Sequence, residues 1–201
     1  VSSPLRQMRL YKSPEEVAAL RRAAQVTADG QTWIQGLLKE GISEAQLALA
    51  FEEFCRRNGA SGMAFEPIIA FGENSAYPHY RGGMARLEPG QIVLMDTGAI
   101  VDHYHGDRTR MAFFGEVNPR LTHLFELVRR GHRKAIEAVR PGICFGELDQ
   151  LVRDEFKKEG VEHLFTHSLG HGIGLETHEY PRVRAGSADA DLALEPGMVF
   201  T

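Results

Sequence analysis

Cysteine is scarce in this chain. Cys55 and Cys144 are the only two in 201 residues, and they form no CxxC pair. A disulfide framework or a four-cysteine zinc site is therefore excluded, and two reduced thiols point to a cytoplasmic protein. No apolar run approaches the roughly 18 residues of a membrane-spanning helix, and the first residues lack the pattern of a secretory leader. Positive charge is not in excess either: 23 Lys and Arg stand against 27 Asp and Glu, for a net charge of −4. That balance argues against nucleic acid and against a membrane surface as partners. What remains, 43% hydrophobic and 25% charged, is an ordinary globular composition with material for a core.

Helix signals come early. Residues 1–12 read as an incoming linker, and Ser13-Pro-Glu-Glu16 as a helix start, with apolar positions carrying that helix to about Lys39. Ser43-Glu-Ala-Gln46 is a capping box that opens a second helix, which ends at Gly59. A short strand is expected over 65–71, then a polar loop leading to His79. Asn118-Pro119 starts a long helix to about Val139, and another covers roughly Phe145 to Lys158. The order repeats. Gly41-Ile42, Leu47 and Gly59 match Gly142-Ile143, Leu148 and Gly160 at one constant offset. Leu87-Glu-Pro-Gly and Leu194-Glu-Pro-Gly match at a slightly larger one. Two matches in the same order imply two copies of helix, helix, strand and hairpin.

The first copy closes on the stretch Ile92–Phe114, an apolar run, a turn and a second β-rich run, which is expected to form a hairpin. If the turn centres on Val101-Asp102, Asp96 faces Asp107 directly across the ladder. Directly opposed positions bring Cβ atoms about 4.5–5.5 Å apart, where like charges are destabilising. Two carboxylates there need a shared proton or a cation. A divalent ion, or a pair, turns the problem into a site. A slip of one residue would instead send the two side chains to opposite faces.

Histidine is the compositional oddity: four of nine fall between His163 and His178. Gly170, Gly172 and Gly174 alternate around His171, which suits an extended strand that something approaches closely. In such a strand His167 and His171 share a face, and imidazole ligates divalent transition metals. His103, His105, His123, His132 and His163 read as hydrogen-bonded structural residues. A phosphate-binding reading of 170–174 has little support, since the spacing is not GxGxxG and no helix follows.

These residues carry a resemblance. Pro78-His79, Asp96, Asp107-Arg-Thr-Arg110, His167-x-x-Gly-His171-Gly-Ile-Gly and His178-Glu179-x-Pro181 occur in the order of the pita-bread metallopeptidases, and are most similar to Xaa-Pro dipeptidases and aminopeptidases. The resemblance runs from about residue 8 to the end. It implies an α+β pita-bread fold, with duplicated helix-helix-hairpin halves around a curved antiparallel sheet, filling 13–201 and incomplete at the C-terminal end. It implies two divalent ions, manganese foremost, with cobalt, zinc or iron as alternatives. Asp96, Asp107 and His171 would be metal ligands. His79 and His178 would be catalytic and touch substrate, and His167 would line the pocket. Two further Glu ligands would be needed, the first at position 203, where the internal repeat also places an acid. The implied activity is hydrolysis of the bond before proline at a peptide N-terminus by a metal-bridged water, in a homodimer. A creatinase-like carbon–nitrogen hydrolase and a non-catalytic binding module are the alternatives on the same fold.

Overall fold

The computed structural model describes residues 4–201, as two compact units. One unit is Pro14–Asn118 with Leu175–Thr177. The other joins the segment ending at Ser13 to Pro119–Gly174 and His178–Thr201.

The incoming segment contains a short helix, α1, over Pro4–Leu10. Helix α2 (Pro14–Gln35) buries Ala19, Leu20, Ala23, Thr27, Gln31 and Ile34, a stripe at helical spacing. It stops short of Lys39, because the chain tightens into turns from Gly36 on, with Leu37 and Leu38 donating to Ile34 and Gln35. Helix α3 (Glu44–Arg57) starts at the expected capping box: Ser43 Oγ accepts from Gln46 N–H and Gln46 Oε1 from Ser43 N–H. Strands β1 (Gly62–Met63) and β2 (Ile68–Phe71) lead to the hairpin, built from β3 (Gln91–Thr97), β4 (Ala99–Val101), β5 (Tyr104–His105) and β6 (Arg108–Phe114). All pairings are antiparallel, in the orders β1-β4-β5 and β2-β3-β6. The unit's core gathers Ile34, Leu47, Phe51, Leu87, Val93 and Met95 between the helices and the sheet.

The other unit contains α4 (Pro119–Ala138), α5 (Phe145–Lys158), β7 (Gly170–Gly172) and β8 (Glu179–Val183). Cys144 stands just before α5, not within it, and its N–H donates to Glu147. The core here is Ile143, Phe145, Leu148, Val183 and Leu194, with Leu127, Val152 and Phe156 forming a second cluster.

The repeat legible in the sequence extends to individual hydrogen bonds. Gly41 N–H donates to Leu87 O and Leu87 N–H to Ile42 O, each 2.8–2.9 Å; Gly142, Leu194 and Ile143 repeat the pattern at 2.8 Å. The bridge Ser43↔Arg86 recurs as Cys144↔Ala193, and the pair Phe71↔Val93 as Gly172↔Phe200. Even the helix crossings correspond. A Cβ on Gly30 would lie 2.8 Å from the Phe51 ring and 3.0 Å from Cys55 Sγ, and one on Gly131 would lie 3.0 Å from Val152 and 3.6 Å from Phe156. Gly30 leaves no room for a methyl group, and Gly131 leaves only a tight fit against the Val152 side chain.

Candidate metal and substrate residues

The hairpin places its two aspartates differently from the direct opposition expected. Asp96 pairs with Thr109 and Thr97 with Arg108, so Asp107 falls two residues from Asp96's partner. Side chains alternate along a strand, so the two aspartates occupy a diagonal on one face instead of facing each other. The turn causes the shift. It centres on Asp102-His103, both at positive φ (50° and 70°), with Val101 in the strand pairing with Tyr104. A two-residue hairpin turn of this kind needs positive φ at both central positions, which Asp and His tolerate and β-branched Val does not. Carboxylates on a diagonal repel less than directly opposed ones. Thr109 Oγ1 donates to Asp96 Oδ1 at 2.9 Å.

The far side of the hairpin is tied to α2 by two buried polar residues, Thr27 and Gln31, which carry no signal of that role in the sequence. Thr27 Oγ1 accepts from Ala99 N–H at 3.0 Å while donating to Ala23 O. Gln31 Nε2 reaches Met95 O, Thr97 Oγ1 and Arg108 O at 3.2, 3.0 and 2.6 Å, and Gln31 Oε1 accepts from Arg108 Nη1 at 2.7 Å. Burial, and secondarily Arg110, lower the pKa of that guanidinium from its ordinary value. The crossing also needs glycines: a Cβ on Gly98 would overlap the Gly106 carbonyl, and one on Gly106 would overlap Thr27.

His79 lies beyond a 3-10 turn (Gly72–Ala76), exposed and at φ 56°. The loop around it is held by Glu44, another residue the sequence reading left without a role. Glu44 is fully buried at the start of α3. Its Oε1 accepts from Phe71 N–H and Asn74 Nδ2, and its Oε2 from Tyr80 Oη and Gly83 N–H, all at 2.9–3.0 Å. Burial first, then the Glu44 carboxylate, raise the pKa of the Tyr80 phenol. The only signal in the sequence was an acid in the first turn of a capped helix, which reads equally well as a dipole partner. His105 has the structural role expected of it, with Nδ1 2.9 Å from Thr177 Oγ1.

In the other unit the strand begins at Gly170, so His167 lies outside it and the expected shared face with His171 is not formed. The chain before Gly170 is committed elsewhere: Arg153 donates to Phe165 O (3.0 Å) and His167 O (2.8 Å) and stacks over the Phe165 ring. Fully buried Asp149 holds Arg153 at 2.7 Å and accepts from Leu169 N–H and Ala185 N–H. His171 is instead against His178, ring centroids 4.1 Å apart. The Nδ1 of His171 lies 2.9 Å from Gly172 O. An imidazole donating there carries its lone pair on Nε2, the tautomer that ligates a metal. His167 Nδ1 makes the same kind of contact with Ser168 O. The alternating glycines do admit close neighbours: Gly170 meets Thr201 O, Gly172 meets Tyr180 O, and Gly174 meets the Glu179 carboxylate. That carboxylate is clamped by Arg9 at 2.5 Å and Lys12 at 3.2 Å, both from the incoming segment.

The register thus puts Asp107 on the diagonal from Asp96, and His171 packs against His178. Among the described residues no three His, Cys, Asp or Glu side chains lie close enough to hold an ion. Carboxylates and imidazoles are donor types that divalent metals accept.

The model of metallopeptidase family M24 matches residues 18–201. This chain belongs to that family. A Xaa-Pro dipeptidase from Pyrococcus horikoshii is 37% identical over 201 residues, all of this chain and 56% of its own length. Among solved structures, a prolidase from Pyrococcus furiosus superposes at a TM-score of 0.94 with 35% identity, over 98% of this chain and 57% of that one. A Xaa-Pro dipeptidase from Bacillus anthracis gives 0.95 and 33%, over 100% and 56%. The M24 chain therefore has the α+β pita-bread fold, and it spans about half the length of the relatives it matches. The family implies divalent metal ions.

Proposed function

We propose that this M24 chain carries the metal-binding part of a peptidase that cleaves the bond before proline at the N-terminus of a dipeptide or short peptide. The observation that carries the reading is the diagonal of Asp96 and Asp107 on one face of the hairpin, in a chain of a metallopeptidase family. Asp96, Asp107 and His171 would hold two divalent ions, manganese foremost. When bound, such ions lower the pKa of water and polarise a carbonyl. His178, beside His171, and His79, on its pinned loop, would orient the scissile carbonyl and stabilise negative charge on its oxygen. His167 would line the substrate pocket. A bond before proline suits these groups, since its nitrogen carries no hydrogen to be satisfied. A homodimer in the cytoplasm completes the proposal. Two free thiols fit a reducing compartment.

The test is hydrolysis of Ala-Pro and Ala-Ala by the intact protein, with manganese and with chelator, for the parent and Asp96→Asn. Manganese-dependent cleavage of Ala-Pro alone, lost in Asp96→Asn, is the expected result. Cleavage that chelator leaves untouched would overturn the metal role. Manganese binding without cleavage of any peptide would favour a binding module.

A further inference from the structure

Three features outside the expected site residues could carry a role: the apolar groove at Trp33 and Phe54, the buried Asp149–Arg153 pair, and Gln31. Nothing in the structure shows what would cover the groove. The Asp149–Arg153 pair organises the backbone at 165–169, and none of its contacts adjoins an expected metal ligand. Gln31 is different, because each of its contacts adjoins an expected metal ligand.

We infer that Gln31 is a positioning residue for the metal-binding aspartates, setting the spacing of Asp96 and Asp107 from behind the hairpin. This rests on the proposed metal role of those two residues. Met95 and Thr97 flank Asp96, and Arg108 follows Asp107, so all four Gln31 hydrogen bonds end on residues adjoining the pair. Alternation along the strand puts Thr97 and its partner Arg108 on the face toward α2, leaving Asp96 on the opposite face. The amide therefore spans one rung of the ladder, and that rung lies between the two aspartates. A primary amide suits the position better than any other side chain of its size. It offers two N–H groups to a carbonyl-rich seam and one oxygen to a guanidinium. Glutamate would set a carboxylate against the carbonyls of Met95 and Arg108, and methionine would leave all four groups without their partner. Thr27, one turn earlier, ties Ala99 in the same way, so the hairpin is fixed to the helix at two successive points.

The experiment measures manganese affinity by calorimetry, and thermal stability, on the intact protein. Four forms are compared: the parent, Gln31→Met, Gln31→Glu and Ile34→Val. Ile34 is buried one turn further along the same helix, so its variant loosens the core while leaving all four Gln31 hydrogen bonds in place. Loss of a residue that orients a ligand typically weakens metal binding roughly 10–100-fold. That loss is expected in both Gln31 variants, with Ile34→Val retaining parental affinity at a comparable melting temperature. Parental affinity in Gln31→Met and Gln31→Glu, however unstable they are, would overturn the inference and leave the metal role standing. Affinity falling equally in Ile34→Val would reduce Gln31 to a general packing residue. If the parent itself binds no manganese, the metal role fails, and the inference fails with it. Should Gln31→Met not fold, Gln31→Glu, which keeps an acceptor for Arg108, supplies the comparison.

Discussion

Glu44 offers the sharpest test of the physical reasoning. Its carboxylate is fully buried, accepts four hydrogen bonds and has no cation among those partners. Two of the donors, Phe71 N–H and Gly83 N–H, belong to the backbone and cannot turn away. An unsatisfied buried donor costs about 1–3 kcal/mol, so Glu44→Ala is expected to lose about 2–6 kcal/mol from these two alone. Asn74 and Tyr80 can recover part of their loss by rotating toward water. Glu44→Gln should cost less, about 1–3 kcal/mol. An amide oxygen can still serve Phe71 and Asn74, and the Tyr80 hydroxyl can reverse to accept, but an amide N–H would point at Gly83 N–H. Equilibrium urea unfolding measures both values, and amide exchange at Phe71 and Gly83 locates the effect. If both variants unfold within about 0.5 kcal/mol of the parent, within the scatter of ordinary surface substitutions, the reasoning is refuted.

Other outcomes follow from single contacts. Gly98→Ala should misfold the hairpin, because its methyl group would overlap the Gly106 carbonyl; a parental melting temperature would contradict this. Glu155 is held at a pKa of about 2 by hydrogen bonds from Lys134 and Lys158. A depressed pKa contributes stability above the carboxyl's ordinary value of 4.5 that is lost as pH falls toward 2. Carboxyl NMR should show the low value in the parent, and Lys134→Ala should move it upward. Cys55 is buried, its thiol pushed up to about 12 by burial, so native protein should label with iodoacetamide at Cys144 alone. Rapid labelling of Cys55 before unfolding would contradict its burial.

Much of the architecture was legible because its signals are local. Ser43 and Gln46 form the capping box they spell, and Phe145–Lys158 is helical over the expected span. The repeat could be read from Gly, Leu and Pro-Gly positions since these sit where backbones cross or turn. The hairpin register was not legible to the residue. A turn at Val101-Asp102 and one at Asp102-His103 differ by a single step in sequence, and only the positive φ that Val resists separates them. Gln31 and Thr27 carry no signal of their role in the local sequence. Their partners lie 64 to 77 residues away, and no local pattern reports a hydrogen bond over that distance. The shared face of His167 and His171 failed for the same reason, since Arg153 draws the chain before Gly170 out of the strand.

The clamp on Glu179 also has a consequence in time. Arg9 and Lys12 emerge among the first residues of this stretch, whereas the carboxylate they grip comes 170 and 167 residues later. At about 5–20 residues per second, a ribosome needs roughly 8–34 s to bridge that interval. Throughout it, two cations wait without their carboxylate, while the hairpin unit, already complete apart from Leu175–Thr177, is free to close first. A substitution at Arg9 should therefore delay the last step of maturation and leave the folding of the aspartate hairpin unchanged.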